Sequence, residues 1–281
     1  MRDLGEIEAI QAAVPEWLFP VAELLTTLGD LPVLLAIACL ALWLGERDRG
    51  AYAVGLMLGG LALMAGLKAT FALPRPPAGL HLIETGSTSF PSGHAMGATV
   101  VYGTLAMTLE RLGTSRQRLA IAGVLVAAIA LSRVVLGVHY AADVLAGIAF
   151  GVAYLAGASS VTGDDPVRAF GLAAVVAGIG LVVGVASGPT PYATCLETVC
   201  VDRDAFAAVV VTASAFVAWL AVGDDRRIGG LVLATVIAPA AALTLLVGAI
   251  DPSVGARGLI VGLAIAGALV ASGFERRSRS S

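Results

Sequence analysis

The stretch "AYAVGLMLGGLALMAGLKA", Ala51 to Ala69, decides the class of fold. No residue from Ala51 to Leu67 is charged, and Lys68 then breaks the run. A strand of a membrane barrel would alternate in polarity, whereas this run is continuous and rich in Ala, Leu and Gly. In lipid such a run satisfies its backbone only as a helix. Its length, close to the roughly 20 residues that cross a bilayer, makes it a span. The rest of the chain has the same texture. Over 281 residues, 58% are hydrophobic and 13% charged, against about 25% charged in an ordinary soluble domain. The expected fold is an all-α, polytopic transmembrane bundle.

Working outward, nine spans are expected, at about 31–45, 51–69, 94–110, 118–136, 139–158, 167–187, 205–222, 228–249 and 256–274. Residues 1–30 read as an amphipathic, interfacial segment, too acidic for a cleavable signal peptide. The segment "VAELLTTLGD" is either part of that surface helix or the beginning of the first span. The loops between spans alternate sides. One set carries eleven of the seventeen Lys and Arg residues, including Arg47, Arg111, Arg116, Arg168 and Arg226. By the positive-inside rule that set is cytoplasmic, which leaves the N-terminus outside and the C-terminus inside. A net charge of -3 without a dense basic tract gives no reason to expect nucleic acid as a partner.

Three of the six outward basic residues, Lys68, Arg75 and Arg133, border a short polar corner, "FPSGH", Phe90 to His94. Pro91, Ser92 and Gly93 start a helix there, with Ser92 as its N-cap. The first N–H groups, those of Gly93 and His94, would face an anion, and glycine leaves the approach clear. On the same side lies "SRVVLGVHYAAD", Ser132 to Asp143. Here His139 opens a helix and Asp143 follows four residues later, one turn down the same face. A carboxylate so placed can hold the imidazole by Nδ1–H and present Nε2 as a nucleophile.

Taken singly, each feature has a plain explanation. Lys68 reads as a snorkelling helix end, Arg75-Pro76 as a loop, and His139 with Asp143 as a structural pair. Their conjunction argues otherwise, because two of only three histidines fall in these motifs beside cations that the charge rule places on the unexpected side. The set of guanidinium, ammonium and helix N–H groups suits a phosphoryl group. His81, the third histidine, has no motif around it and reads as loop surface.

These residues, in this order, resemble the type 2 phosphatidic acid phosphatase superfamily, which includes lipid phosphate phosphatases, polyprenyl diphosphate phosphatases and vanadium haloperoxidases. Its three-part signature is matched at Lys68, Arg75-Pro76, Pro91 to His94, Ser132-Arg133, His139 and Asp143, within a resemblance that covers roughly residues 20–158. The resemblance implies a catalytic membrane domain over 31–158, built on its first five to six helices. It also implies a metal-independent phosphatase, with no cofactor, passing through a phosphohistidine on His139. His94 would protonate the leaving group, Asp143 would orient His139, and Lys68, Arg75, Ser92, Gly93 and Arg133 would hold the phosphoryl group. The site would face outward, near the membrane lipids that supply a lipid phosphate or polyprenyl diphosphate. A phosphotransferase differs only in its acceptor, a haloperoxidase is opposed by the number of spans, and a transporter by the lack of charge within the spans.

Residues 159–281 read as a C-terminal extension of four further spans, outside the resemblance, either a structural or lipid-facing appendage or a specificity or partner domain. Between its spans, "CLETVC" sets Cys195 and Cys200 five apart on the outer side, where a disulfide can form. Cys39 lies inside a span as a small apolar packer. The sequence sets no oligomeric state.

Overall fold

The computed structural model describes residues 4–44, 46–196 and 199–222. The expected spans 228–249 and 256–274, with Arg226, lie outside those residues. The described chain is almost entirely helical: α1 (Leu4–Ala13), α2 (Leu18–Thr27), α3 (Leu31–Leu44), α4 (Arg47–Phe71), α5 (Gly93–Thr108), α6 (Ser115–Val135), α7 (Ala141–Thr162), α8 (Pro166–Ser187) and α9 (Arg203–Val222). A single 3-10 turn (Ala78–Leu80) interrupts the long loop before α5, and a hairpin of β1 (Ala193–Leu196) and β2 (Val199–Asp202) precedes α9.

Among the described residues α4, α6, α7, α8 and α9 are long and apolar enough to cross a membrane. The pair α2 and α3 passes the same test together, bent by 50° at residues 28–30. The expected span at 94–110 is different. Its helix, α5, has 16 residues, about 24 Å at 1.5 Å per residue, short of a hydrocarbon core of about 30 Å. It is also the most enclosed helix of its unit, with Ala95 to Tyr102 all buried.

The chain divides into two compact units, and the division does not follow the contiguous one read from the sequence. The first unit comprises residues 1–37 and 71–157, the second 38–70 and 158–281. Residues 1–30 belong to the first unit. Ile7 of α1 is fully buried, and Gln11 donates to the carbonyls of Leu80 (3.0 Å) and Val135 (3.2 Å).

In the first unit α5 packs on α6, and α2 also lies on α6. Ala95, Ala130, Val134 and Val144 form one apolar cluster; Ala22, Leu136 and Val138 form another. Glycines let α7 meet α5 closely. A Cβ on Gly147 would fall 2.7 Å from the Ser92 carbonyl oxygen, and one on Gly151 would fall 2.8 Å from Thr99. Gly137, at φ +72°, turns the chain from α6 toward α7, and a Cβ there would run into the Leu80 carbonyl.

The second unit owes its grouping to small residues on α4. Gly66 lies against Gly180 of α8, where an added Cβ would come within 2.7 Å of the opposing Cα. Gly55 meets Ala169 in the same way. Such contacts let two helix backbones approach closely without a large apolar side chain between them. Ala62, Ala177, Val209 and Ala213 extend the packing to α9, and the Phe170 and Trp219 rings lie 6.0 Å apart. Helices expected to be a separate appendage thus form the packing surface for the helix that carries Lys68.

Candidate active site

Seven of the eight candidate catalytic and phosphate-binding residues lie in the first unit, at the ends of α5, α6 and α7 and in the loop before α5. The eighth, Lys68, is buried on α4 in the second unit. Ser92 caps α5: its backbone is extended, and its Oγ accepts from Ala95 N at 3.5 Å. Its own N–H donates to the Asp143 carbonyl at 2.9 Å, tying the start of α5 to α7. Gly93 and His94 occupy the first turn of α5, where a helix has no carbonyls of its own for its N–H groups. Phe90, just before, is packed edge-on against Phe71 (centroids 5.1 Å apart) and Phe150 (6.3 Å), which fixes the corner.

His139 is fully buried and precedes α7, which begins at Ala141 rather than at the histidine. Its imidazole is held from both sides. Nδ1 lies 3.5 Å from Asp143 Oδ2 and 3.4 Å from Ser89 Oγ. Nε2 lies 3.1 Å from Arg75 Nη1. A guanidinium only donates, so Nε2 is the acceptor and the ring proton sits on Nδ1, facing the carboxylate. That tautomer leaves a lone pair on Nε2, the form a nucleophilic imidazole needs.

Asp143 is fully buried, and donors converge on its Oδ2: the Ser89 hydroxyl and the Tyr140 N–H at 3.3 Å, beside His139. A buried carboxylate needs this density of donors to offset its desolvation. Arg75 is spread over the Ser87 carbonyl (Nε, 2.7 Å), the Ser87 hydroxyl (Nη2, 3.2 Å) and the Val138 carbonyl (Nη1, 2.7 Å) besides the imidazole. To expose Nε2 it must pass its Nη1 hydrogen bond to another acceptor, and a phosphoryl oxygen is a suitable one.

Arg133 is buried, and its Nη1 donates to Thr26 Oγ1 at 2.6 Å. Its Nε is buried without a hydrogen-bond partner among the described residues. Leaving such a donor unpaired costs about 1–3 kcal/mol, a cost an incoming anion would remove. Ser132 spends its hydroxyl on the Ile129 carbonyl of its own helix. His94 Nε2 lies 2.8 Å from Asp30 Oδ1.

Ser89, Asp30 and Thr26 are absent from the set read in the sequence. Ser89 sits two residues before the Pro-Ser-Gly-His corner, where its polarity was a usable sign. Asp30 is the only charged residue between Glu23 and Glu46, a sign of equal strength. Thr26 gave none. His81 donates from Nε2 to the Pro76 carbonyl at 2.9 Å, within its own loop. Cys195 and Cys200 are paired across the β1–β2 hairpin and bonded to each other, while Cys39 is a partly buried free thiol on α3.

The profile of the PAP2 superfamily matches residues 49–165. Phosphatidylglycerophosphatase B of Bacillus subtilis (strain 168) is 42% identical over 69 residues, 23% of this chain and 34% of that relative. The match thus spans about a third of the relative's length. The crystal structure of a transmembrane PAP2 type phosphatidylglycerolphosphate phosphatase from Bacillus subtilis is similar at TM-score 0.47 and 28% identity. That similarity covers 56% of this chain and 84% of the other.

Proposed function

We propose, from the match of residues 49–165 to the PAP2 superfamily, that this chain is a membrane phosphatase. Its substrate would be a lipid-linked phosphate or diphosphate, hydrolysed through a phosphohistidine without a metal ion. The observation that carries this reading is the state of His139: Nδ1–H faces Asp143 while the Nε2 lone pair faces a guanidinium. An imidazole with a merely structural role has no need of a cation across its lone pair.

The chemistry proceeds in two steps. In the first, Nε2 of His139 attacks phosphorus, the bond to the lipid oxygen breaks, and that oxygen takes a proton from His94. In the second, water attacks the phosphohistidine, gives its proton to His94, and the P–N electron pair returns to Nε2. Arg75, Arg133 and the N–H groups of Gly93 and His94 would balance the phosphoryl charge in both steps, where positioning and electrostatics do most of the work. Asp143 stabilises the cationic ring that forms in between. The site would face the extracytoplasmic side, where the charge count places these loops.

The related protein's name makes phosphatidylglycerophosphate the first substrate to try, followed by phosphatidate and a polyprenyl diphosphate. Purified full-length protein in detergent is expected to release inorganic phosphate from at least one of them in excess EDTA, and vanadate should inhibit it. Activity lost in EDTA and restored by Mg²⁺ would overturn the metal-free mechanism. Release from none of them would overturn the assignment itself.

A further inference from the structure

The partner of His94 lies outside the three motifs. Asp30 caps the start of α3, where its carbonyl accepts from Leu34 N at 2.9 Å. Its side chain reaches His94 Nε2 at 2.8 Å. The bend that carries it is anchored to the site at two further points. Arg133 donates to Thr26 on the α2 side, and the Tyr102 hydroxyl donates to the Leu28 carbonyl at 2.9 Å. Gly29 supplies the clearance, since a Cβ there would fall 3.1 Å from the His94 ring and 2.8 Å from Ile129. Three ties and a glycine therefore hold one carboxylate against one ring nitrogen.

We propose that Asp30 is the positioning residue of the general acid: it fixes His94 by Nε2–H, turns Nδ1 to the substrate and favours a proton there. The arrangement parallels that of Asp143 and His139, with the ring reversed. In the first step the Nδ1 proton moves to the leaving oxygen, and neutral His94 keeps its Nε2–H bond to Asp30. In the second, Nδ1 takes a proton from the attacking water, which restores the imidazolium. The charged groups acting on His94 are Asp30 from the bend, Arg133 from α6 and Arg75 from the loop before α5. Burial first, and then Arg133 and Arg75, push the His94 pKa down to about 4, and Asp30 is the carboxylate that works against that shift. Asp30 is also partly open to solvent, with 46% of its side chain exposed, so protons can be exchanged at that end of the pair.

This inference rests on the phosphatase reading, and the test separates the two. Asp30→Asn, Asp30→Glu and His94→Ala are compared with wild type on phosphatidylglycerophosphate and on p-nitrophenyl phosphate, whose leaving group needs no proton. Asp30→Asn is expected to lose about ten- to a hundredfold in kcat/KM on the lipid, which reads the leaving-group step alone, part of the roughly 10²–10⁴-fold that general acid catalysis supplies. Its loss on p-nitrophenyl phosphate should stay below about threefold. The basic limb of its kcat–pH profile should move to lower pH, because the acid loses the charge that retains its proton. Asp30→Glu keeps the charge and should keep the wild-type limb even if its turnover falls. If Asp30→Asn does not accumulate folded, a displaced limb in Asp30→Glu overturns the proposal. Equal loss on both substrates in Asp30→Asn, or no loss, while His94→Ala remains selective, overturns the role of Asp30 alone. Equal loss of kcat/KM on both substrates in His94→Ala overturns the role of His94, and the inference with it.

Discussion

The central unit of the site is one imidazole with a different partner on each nitrogen. As the proposed nucleophile His139 would need Nδ1 protonated and Nε2 bare, and its two neighbours favour this by chemistry as well as by distance. Asp143 can only accept from the ring, and Arg75 can only donate to it. Asp143→Asn should therefore keep the fold yet weaken every substrate alike, by about 10²–10⁴-fold in turnover, since the tautomer is lost whatever the leaving group. Ser89 acts one step further back, through its bond to Asp143 Oδ2. A hydrogen bond to a charged group contributes about 1.5–3 kcal/mol. Ser89→Ala should accordingly lose about tenfold or somewhat more in kcat on both lipid and p-nitrophenyl substrates, with KM little changed. Wild-type turnover in Ser89→Ala would mean that Asp143 does not depend on it.

At the scale of elements, the site depends on how closely α7 can approach the start of α5. Gly147 faces the Ser92 carbonyl, a backbone atom that cannot swing aside. Gly147→Ala is expected to cost about 1–3 kcal/mol of stability and to depress activity further by separating Ser92 from Asp143. Thermal unfolding in detergent alongside phosphate release would check both, and an unchanged melting temperature would contradict this view of the crossing. Helix crossings of this kind were not legible in the sequence. The apolar runs place helices α4, α6, α7, α8 and α9 to within four residues at each end, because a continuous run in lipid has one solution. The motif residues stood out because polar groups are conspicuous in such a chain. The pairing of α4 with α8 through Gly55 and Gly66, and the bend that brings Asp30 to His94, are set by small residues whose partners lie over 60 positions away. No local pattern encodes those partners. The enclosure of α5 is hidden from the sequence for the same reason, since its composition is that of a span.

For the whole molecule, orientation decides which pool of lipid the site meets. In the orientation proposed from the Lys and Arg distribution, the start of α6 would lie in the cytoplasm and the disulfide hairpin outside. Arg116 is exposed in the first turn of α6. A cysteine at that position, in a chain also carrying Cys39→Ala, should react with an impermeant thiol reagent only after the cells are opened. Labelling in intact cells would invert the topology and move the site to the cytoplasmic face. The central claim, that phosphate passes through His139, is tested most directly by trapping the intermediate. Rapid acid-free quenching after mixing with ³²P-labelled p-nitrophenyl phosphate should show an acid-labile, alkali-stable phosphoenzyme in wild type. His94→Ala should accumulate it, because the water that must clear it has lost its base, and His139→Ala should form none. A phosphoenzyme that persists in His139→Ala and is missing from His94→Ala would contradict the account and exchange the roles of the two histidines.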